Sequence, residues 1–571
     1  MKAAQVPGAA KASRSFQSLL LHALALSAVI FALLEVWRPY FFLTDDNLDG
    51  GFPVFTEMGR NILAGHSPFI SHHLFGGDYN LSRDPTFFMW HPVYLLTSLL
   101  VATPLHLAII DANAFFMLML ATAGFVTLAH HLRREMPLKI SDNWIIFYAL
   151  SYTYTMIALT TGASWENFLG NVASLPWLAL GIFQKTWWRG TAIVALFVMN
   201  QTLGGHFAPT ISNSIFLSLF ALGLSIGRRS SLPLVIWLGG YVLAVIIMSP
   251  LLVHVVDGFI HSGRAGGVDI QDMGQNNIPL DGFLSSLLLG MALWIFHPNG
   301  HPYVTYTLAL GACASAWCLL PALASRARWR GTEVVSLLMV VFGAVMVIRP
   351  MFINEIMIQL PLLKSLRWPF RELVQFQFFF HLFLLVRPPG FSRGGRRFCA
   401  AFGIFVYVVP LLLYPFAPTF NTLTWDRELI ISGRDKDYWA HVQRYLKPTD
   451  RIAVIIPLEL YTDDRFEEPY SLLGTFNYAS YEGIINVWGY SPTAPLDRQY
   501  TVVNAFYPFG AYHPAARKRL MKLNPELKII TLESLHPLRI TLSSSDGTVI
   551  DLTPFVPPRE STVPPHPPGL P

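Results

Sequence analysis

The sequence predicts a polytopic α-helical membrane protein with a small α+β domain at its carboxyl end. Hydrophobic residues make up 53% of the 571 residues and charged residues only 13%, and the mean hydropathy is +0.43. A soluble protein of this length usually carries more charge. Apolar runs of roughly 16–22 residues, long enough to cross a hydrocarbon core of about 30 Å, recur along the first three quarters of the chain.

The lysines and arginines fall mainly into short loops between the apolar runs, a pattern that sets the orientation of a membrane protein. The net charge of +5 therefore indicates topology and not a nucleic-acid partner. The basic amino terminus is predicted to be cytoplasmic, followed by a retained first span from about Ser18 to Trp37. Further spans are predicted at about 110–131, 143–161, 168–184, 191–205, 209–226, 232–254, 303–323, 334–349, 372–387 and 398–416.

These runs make about eleven spans and place the carboxyl-terminal part outside the cell membrane, because an even number of spans separates neighbouring basic loops. Two other apolar stretches, 92–108 and 283–297, would break this parity if they crossed. We expect both to be interfacial or re-entrant helices on the outer side.

The chain after the last run has a different composition. Charges and turn residues return between Asp426 and Phe555, with a helix predicted at 437–446 and strands at 451–456 and 527–532. The predicted domains are a transmembrane domain at 1–417 that includes the first outer loop at 38–92, an extracytoplasmic α+β domain at 418–556, and a proline-rich disordered tail at 557–571.

Three carboxylates, Asp45, Asp46 and Asp49, follow the first span directly. A carboxylate near a bilayer is costly unless it is solvated, paired with a cation or used in chemistry. The alternative interpretation is a solvated acidic loop that merely ends the helix.

The same outer loop contains two adjacent histidines, His72 and His73. With Asp78 or Asp84 they could bind a divalent metal, but no spacing matches a ligand motif, so no metal is assigned.

Two arginines, Arg367 and Arg371, lie on either side of Pro369, where a helix is predicted to begin. Two guanidiniums beside a helix amino terminus at the outer membrane level can bind a phosphate or pyrophosphate. The alternatives are snorkelling to the interface or pairing of an arginine with Glu372.

A further candidate for phosphate binding is His206, which follows Gly204 and Gly205 at an outer turn. The glycines would permit a tight backbone near a ligand, although a single histidine in such a turn is more often structural.

Several short segments resemble the YfhO-type membrane proteins of the GT-C glycosyltransferase superfamily. They are the acidic residue after the first span, Asn61-Ile-Leu-Ala-Gly65-His-Ser-Pro68, Leu74-Phe-Gly-Gly77-Asp78, Trp90-His91-Pro92, the segment from Leu360-Pro361 to Arg371, and Asn486-Val-Trp-Gly-Tyr490-Ser-Pro492. The resemblance extends loosely over nearly the whole chain.

The resemblance implies a GT-C fold and a glycosyltransferase that moves a sugar from a polyprenyl-phosphate carrier to a glycan, lipid or protein acceptor on the outer face. It implies a first-loop carboxylate as the general base: Asp46 or, almost equally, Asp45, with Asp84 in reserve. Arg367 and Arg371 could stabilise the departing phosphate. No cofactor is required, although some members use a divalent metal. The competing hypothesis is a non-enzymatic transporter of lipid-linked sugars or a scaffold for envelope assembly.

Overall fold

The computed structural model describes residues 15–74, 77, 79–83, 90–136, 138, 140–261, 278, 280, 283–284, 318–319, 322–323, 328–360, 363–366, 369–388, 424–455, 470–473, 478–486, 527–535 and 537–558. In chain order its helices are α1 Phe16–Trp37, α2 Phe52–Leu63, α3 Pro92–Ser98, α4 Ile109–Glu135, α5 Asp142–Thr153, α6 Met156–Ser164, α7 Phe168–Phe183, α8 Trp187–Gly204, α9 Phe207–Arg228, α10 Leu232–Ile260, α11 Gly331–Ile348, α12 Met351–Met357, α13 Leu373–Val386, α14 Thr424–Ser432, α15 Arg434–Val442, α16 Tyr470–Leu473 and α17 Tyr478–Tyr481.

The chain divides into two compact units. The helical unit comes from residues 1–42, 111–253 and 266–419, and the mixed unit comes from 43–110, 254–265 and 420–571. The contacts therefore group most of the first outer loop with the carboxyl-terminal part, whereas the sequence analysis grouped it with the spans. The predicted boundary at 417/418 and the tail from 559 onward lie outside the described residues.

Five helices of the described residues are long and apolar enough to cross a membrane: Phe16–Trp37, His106–Glu135, Phe207–Arg228, Leu232–Ile260 and Gly331–Ile348. Each coincides with a predicted span. The predicted spans at 303–323 and 398–416 lie almost wholly outside the described residues, so the number eleven stays a prediction. The stretch at 92–108 contains only a short apolar helix, Pro92–Ala102.

The predicted span at 143–161 is two short helices, α5 and α6, separated at Tyr154 and Thr155. The Thr155 side chain accepts a hydrogen bond from the Ala158 backbone N–H and so caps α6. The Tyr154 hydroxyl lies 2.9 Å from the Ser27 hydroxyl on α1 and donates to the Ser27 carbonyl. These side-chain bonds satisfy polar groups at the break, so the predicted span at 143–161 is interrupted, and its crossing of the membrane stays a prediction.

Helices α11 and α13 of the helical unit are joined by buried ion pairs at their ends. Arg387, just after α13, lies 2.6 Å from Glu333 in the first turn of α11. Arg349, just after α11, lies 3.3 Å from Glu372, which precedes α13. A Cβ at Gly343 would lie 3.0 Å from the Phe376 backbone, so the two helices also pack closely between these pairs.

The mixed unit contains a five-stranded sheet. In chain order its strands are β3 Arg451–Ile455, β4 Ile485–Asn486, β5 Leu527–Leu535, β6 Leu538–Ser543 and β7 Val549–Asp551, and β1 Ile70–Ser71 and β2 Tyr79–Asn80 form a separate antiparallel pair. The spatial order is β4-β3-β5-β6-β7. The strand β3 is parallel to β4 and β5, and β5, β6 and β7 are antiparallel neighbours. The predicted small α+β region near the carboxyl end is confirmed.

The sheet buries one apolar face against helices α14 to α16. The shared core contains large side chains such as Leu429, Trp439, Ile452, Ile530 and Leu542. Strands β5 and β6 contribute every second side chain to this core, because alternate side chains of a strand point to the same face of the sheet. The predicted helix at 437–446 begins earlier than expected, at Arg434, and continues as a 3₁₀ turn to Tyr445.

Candidate functional site

Arg371 occupies a 3₁₀ turn, Pro369–Glu372, that leads directly into α13. The predicted helix start at this proline is confirmed. Arg371 is only 6% exposed, and its guanidinium carbon lies 4.5 Å from the centroid of the Trp165 ring. A guanidinium stacked on an indole is held in a fixed orientation while its N–H groups point outward in the ring plane.

The Trp165 ring also packs against His206, with 5.7 Å between the ring centroids. The structure therefore brings Arg371 and His206, two predicted phosphate ligands, into contact with one tryptophan. Trp165 was not identified from the sequence. The sequence did offer one signal for it. Trp165 lies in a short turn between two apolar runs, and this turn is predicted to face the same side of the membrane as His206.

His206 has a structural role at the start of α9. Its Nδ1 accepts a hydrogen bond from the Ala208 backbone N–H, and its own backbone N–H donates to the Asn171 side chain at 2.6 Å. A ligand contact by His206 would therefore have to use Nε2. His206 therefore has the structural role that a single histidine in such a turn more often has. This role does not conflict with a ligand contact by Nε2.

The two glycines before His206 serve helix packing. A Cβ at Gly205 would lie 2.3 Å from the Gln201 carbonyl oxygen, and a Cβ at Gly170 on α7 would lie 1.9 Å from the Gly204 carbonyl oxygen. Helices α7 and α8 thus approach each other with no room for a side chain. Gly170 and Gly205 are thus required by packing, and the position of Gly204 and Gly205 beside a ligand stays a prediction.

Glu372 is bound by residues that are distant in the sequence. Its carboxylate accepts a hydrogen bond from Ser212 at 2.7 Å and lies 3.3 Å from Arg349. Arg349 also donates to the Leu366 carbonyl. Arg349 was not identified from the sequence, because it follows a run of apolar residues and belongs to no recognised motif. It forms an ion pair with Glu372.

One buried carboxyl group in the helical unit was also missed. Glu166 follows Trp165 in the turn before α7 and is buried. Burial raises the pKa of Glu166 to about 7, although hydrogen bonds from its own backbone and that of Asn167 act in the opposite direction. A group with this pKa can accept or release a proton near neutral pH.

The candidate bases Asp45 and Asp46 belong to the mixed unit and are half-buried. Asp45 has a φ of +49°, in the left-handed region, and its carbonyl accepts hydrogen bonds from the Leu48 and Asp49 backbone N–H groups. Asp49 is buried. The turn is therefore folded within the mixed unit, with Asp45 and Asp46 only partly exposed to solvent, and their role as a base stays a prediction.

These carboxylates share an environment with acids of the carboxyl-terminal helices. Burial raises the pKa of the Tyr478 phenol well above its usual value, and the charges of Asp426, Asp49, Asp435 and Asp45 raise it further. Acids from residues 45–49 and from residues 426–435 therefore act on the same buried phenol. These two groups of acids are close in the structure although they are far apart in the sequence.

Two of these acids titrate near neutral pH. Burial raises the pKa of Asp426 to about 7, against hydrogen bonds from the Ser471 hydroxyl and backbone N–H. Burial likewise raises the pKa of Asp435 to about 6. The surroundings of Asp45 thus contain carboxyl groups that exchange protons at physiological pH.

The histidine pair is organised around a buried glutamate. Glu57 accepts hydrogen bonds from the Ser71 hydroxyl and the His72 backbone N–H, and its carboxylate lies 2.7 Å from His73 Nδ1. Within the described part of the chain, no group of three or more potential ligands could hold a metal ion. Asp78, Asp84 and Arg367 lie outside the described residues.

A comparison of the sequence with protein-family models and with curated proteins finds no match. The resemblance to the YfhO-type proteins therefore stays an expectation, and the functional argument depends on the residues themselves.

Proposed function

We propose that the protein is a membrane glycosyltransferase that moves a sugar from a polyprenyl-phosphate carrier to an acceptor on the outer face. The observation that carries the proposal is Arg371, a buried guanidinium at the start of a helix, stacked on Trp165, whose ring also packs against His206. A fixed guanidinium at the end of an apolar helix fits a phosphate whose lipid chain remains in the bilayer.

The reaction needs little more than a base and an anion-binding group. The acceptor hydroxyl oxygen forms a bond to the anomeric carbon, and the bond from that carbon to the phosphate oxygen breaks with its electron pair. The hydroxyl proton passes to a carboxylate, for which Asp46 or Asp45 is proposed. The polyprenyl phosphate leaves with a negative charge that Arg371, with Arg367, would stabilise.

The first test addresses the donor phosphate. Arg371→Ala should abolish or strongly reduce incorporation of sugar from the lipid donor, measured by comparing envelope glycans in cells that produce each variant. Arg371→Lys should restore only part, because an ammonium lacks the bidentate fork. The matched control is Arg189→Ala, which removes an exposed guanidinium 5.1 Å from the Trp188 ring. Equal loss in the control would refute a specific role for Arg371.

The second test addresses the base. Asp45→Asn and Asp46→Asn keep the side-chain size but remove the proton acceptor, and the double variant should transfer sugar about 10²–10⁴-fold more slowly at unchanged abundance. Asp84→Asn tests the reserve candidate. Full transfer by the double variant would move the assignment to Asp84. Movement of the lipid-linked sugar without formation of a new glycosidic bond would instead favour the transporter hypothesis.

A further inference from the structure

The mixed unit contains a cavity of about 280 Å³ between the end of α2, the turn after α3, α15 and α17. Its apolar lining comes from Leu63, Val101 and Ala102. The volume is close to the lower end of the range for small-molecule sites, so it suits a compact chemical group and not a long chain.

Two cations line this cavity. Arg60 donates from Nη1 to the Tyr481 carbonyl at 2.6 Å, and its guanidinium carbon lies 5.4 Å from the Tyr481 ring centroid. These contacts orient the guanidinium while leaving its other edge to the cavity. Lys436 is exposed and also lines the cavity. A third basic side chain, His106, lines the same space.

Glu482 is the acidic group of the cavity. Its Oε1 is buried and has no hydrogen-bond partner within the described part of the chain. Burial raises the pKa of Glu482 to about 7, the charge of Asp435 raises it further, and Arg60 and Lys436 oppose the shift. Below neutral pH the carboxyl group is therefore mainly uncharged, and the two cations are not neutralised from within the cavity.

Large apolar side chains are exposed beside the cavity. Leu63, which lines it, is 56% exposed, and Leu105, next to His106, is 59% exposed. Leu96 on the neighbouring short apolar helix is 68% exposed. Exposed leucines beside a basic cavity are typical of a site for an amphiphile, with an anionic head and a hydrocarbon part.

We propose that this cavity binds the phosphate group of an anionic amphiphile, with Arg60 and Lys436 on the phosphate and Leu63 and Leu105 against the hydrocarbon. The site goes beyond sugar transfer and uses none of the residues assigned to the donor or to the base. The recognised chemistry is a phosphate diester or monoester, which a lipid headgroup or a soluble phosphoester could supply.

The test uses the full-length protein purified in a neutral detergent. Short-chain phosphatidylglycerol is titrated at pH 6 and at pH 8, with phosphatidylcholine as the zwitterionic control and glycerol 3-phosphate as the soluble source, and binding is measured by native mass spectrometry. Phosphatidylglycerol should bind and phosphatidylcholine should not. Displacement by glycerol 3-phosphate at a similar concentration would identify the headgroup alone as the ligand, whereas no displacement would show that the hydrocarbon contributes.

Two variants should shift the affinity in opposite directions. Lys436→Gln should weaken phosphatidylglycerol binding about tenfold, since it removes one charge-assisted contact. Glu482→Gln should strengthen binding at pH 8, because it removes the carboxylate that competes for Arg60 and Lys436. Arg444→Gln, an exposed cation shortly after α15 that does not line the cavity, should have no effect. Equal binding of both lipids, or equal affinity in all four proteins, would overturn the proposal.

Discussion

The two units of the protein stabilise their buried charges by different means. In the helical unit, the buried carboxylates of Glu333 and Glu372 lie against the guanidiniums of Arg387 and Arg349. In the mixed unit, Asp426 accepts hydrogen bonds from Ser471 and has a raised pKa. The first arrangement keeps the charge and supplies a counter-charge, whereas the second favours the uncharged carboxyl group.

This difference has a physical consequence. In an arginine–carboxylate pair the guanidinium stays charged across the physiological range and favours the ionised carboxylate. A buried carboxyl group with a raised pKa contributes in a pH-dependent manner, because folding then takes up a proton. The carboxyl groups of Asp426 in the mixed unit and of Glu166 in the helical unit are therefore expected to contribute less to stability as the pH rises towards 7.

The glycines differ between the units as well. In α7 of the helical unit, Gly170 lies where another backbone leaves no space for a Cβ. In the mixed unit, Gly433 has a φ of +71° and no atom within 4 Å of the position of a Cβ. The first glycine is required by close packing and the second by backbone conformation.

The largest effect is expected from breaking one buried ion pair. Arg349→Met leaves the Glu372 carboxylate buried without its guanidinium, and this should lower the free energy of unfolding by about 3–5 kcal/mol. The double variant Arg349→Met/Glu372→Met should lose less, because no buried charge remains unpaired. Denaturant unfolding of the purified protein measures both. Arg330→Met serves as the control, since that side chain is half-exposed and lies 3.7 Å from Glu333. A double variant as unstable as the single one would contradict the charge argument.

The next effect concerns pH and the mixed unit. The folded pKa of Asp426 is about 7, whereas an unfolded aspartate titrates at about 4. Its contribution to stability is thus fully present below about pH 4 and is lost as the pH rises towards 7, on the order of 3 kcal/mol. We expect Asp426→Asn to flatten the pH dependence of unfolding between pH 5 and 8, followed by tryptophan fluorescence. Asp437→Asn, at an exposed position on α15, should leave it unchanged, and an equal change in both variants would rule out this origin.

A smaller effect should separate the two kinds of glycine. Gly170→Ala places a Cβ 1.9 Å from the Gly204 carbonyl oxygen and should destabilise the protein by about 1–3 kcal/mol. Gly239→Ala is the helical control, because its nearest atoms lie at 3.5 Å and 3.6 Å. Gly433→Asn should be tolerated, since asparagine adopts positive φ more readily than other residues. Thermal unfolding of the three variants measures the order, and a tolerated Gly170→Ala would show that α7 and α8 can move apart.

The smallest effect is expected at His206. His206→Ala removes the cap of α9 and should cost about 1 kcal/mol, whereas His206→Asn should restore most of this stability. If Nε2 also contacts the donor phosphate, His206→Asn should remain stable yet use the lipid donor less well. Thermal unfolding and glycan analysis of the same samples separate the two roles. Normal sugar transfer by the asparagine variant would leave His206 with the capping role alone.

Local patterns predicted much of the secondary structure. The apolar runs around α1, α9, α10 and α11 gave helices of membrane-crossing length, because a bilayer requires a continuous apolar segment. Pro369 correctly predicted where the helical turn before α13 begins, since the fixed φ of proline suits the first helical turn. The break within the predicted span at 143–161 was not predicted, because the Thr155 cap and the Tyr154 contact with α1 depend on polar side chains that hydropathy does not record.

The sequence by itself determined that this chain has helices suited to a membrane, a small carboxyl-terminal sheet and a set of candidate phosphate ligands that includes Arg371. Only the tertiary structure decided that Trp165 contacts both Arg371 and His206, that Arg349 pairs with Glu372, and that Asp45 shares an environment with Asp426. These pairs are distant in the sequence. Their proximity follows from how helices and loops pack, and no periodicity or local motif encodes the position of a residue on another element.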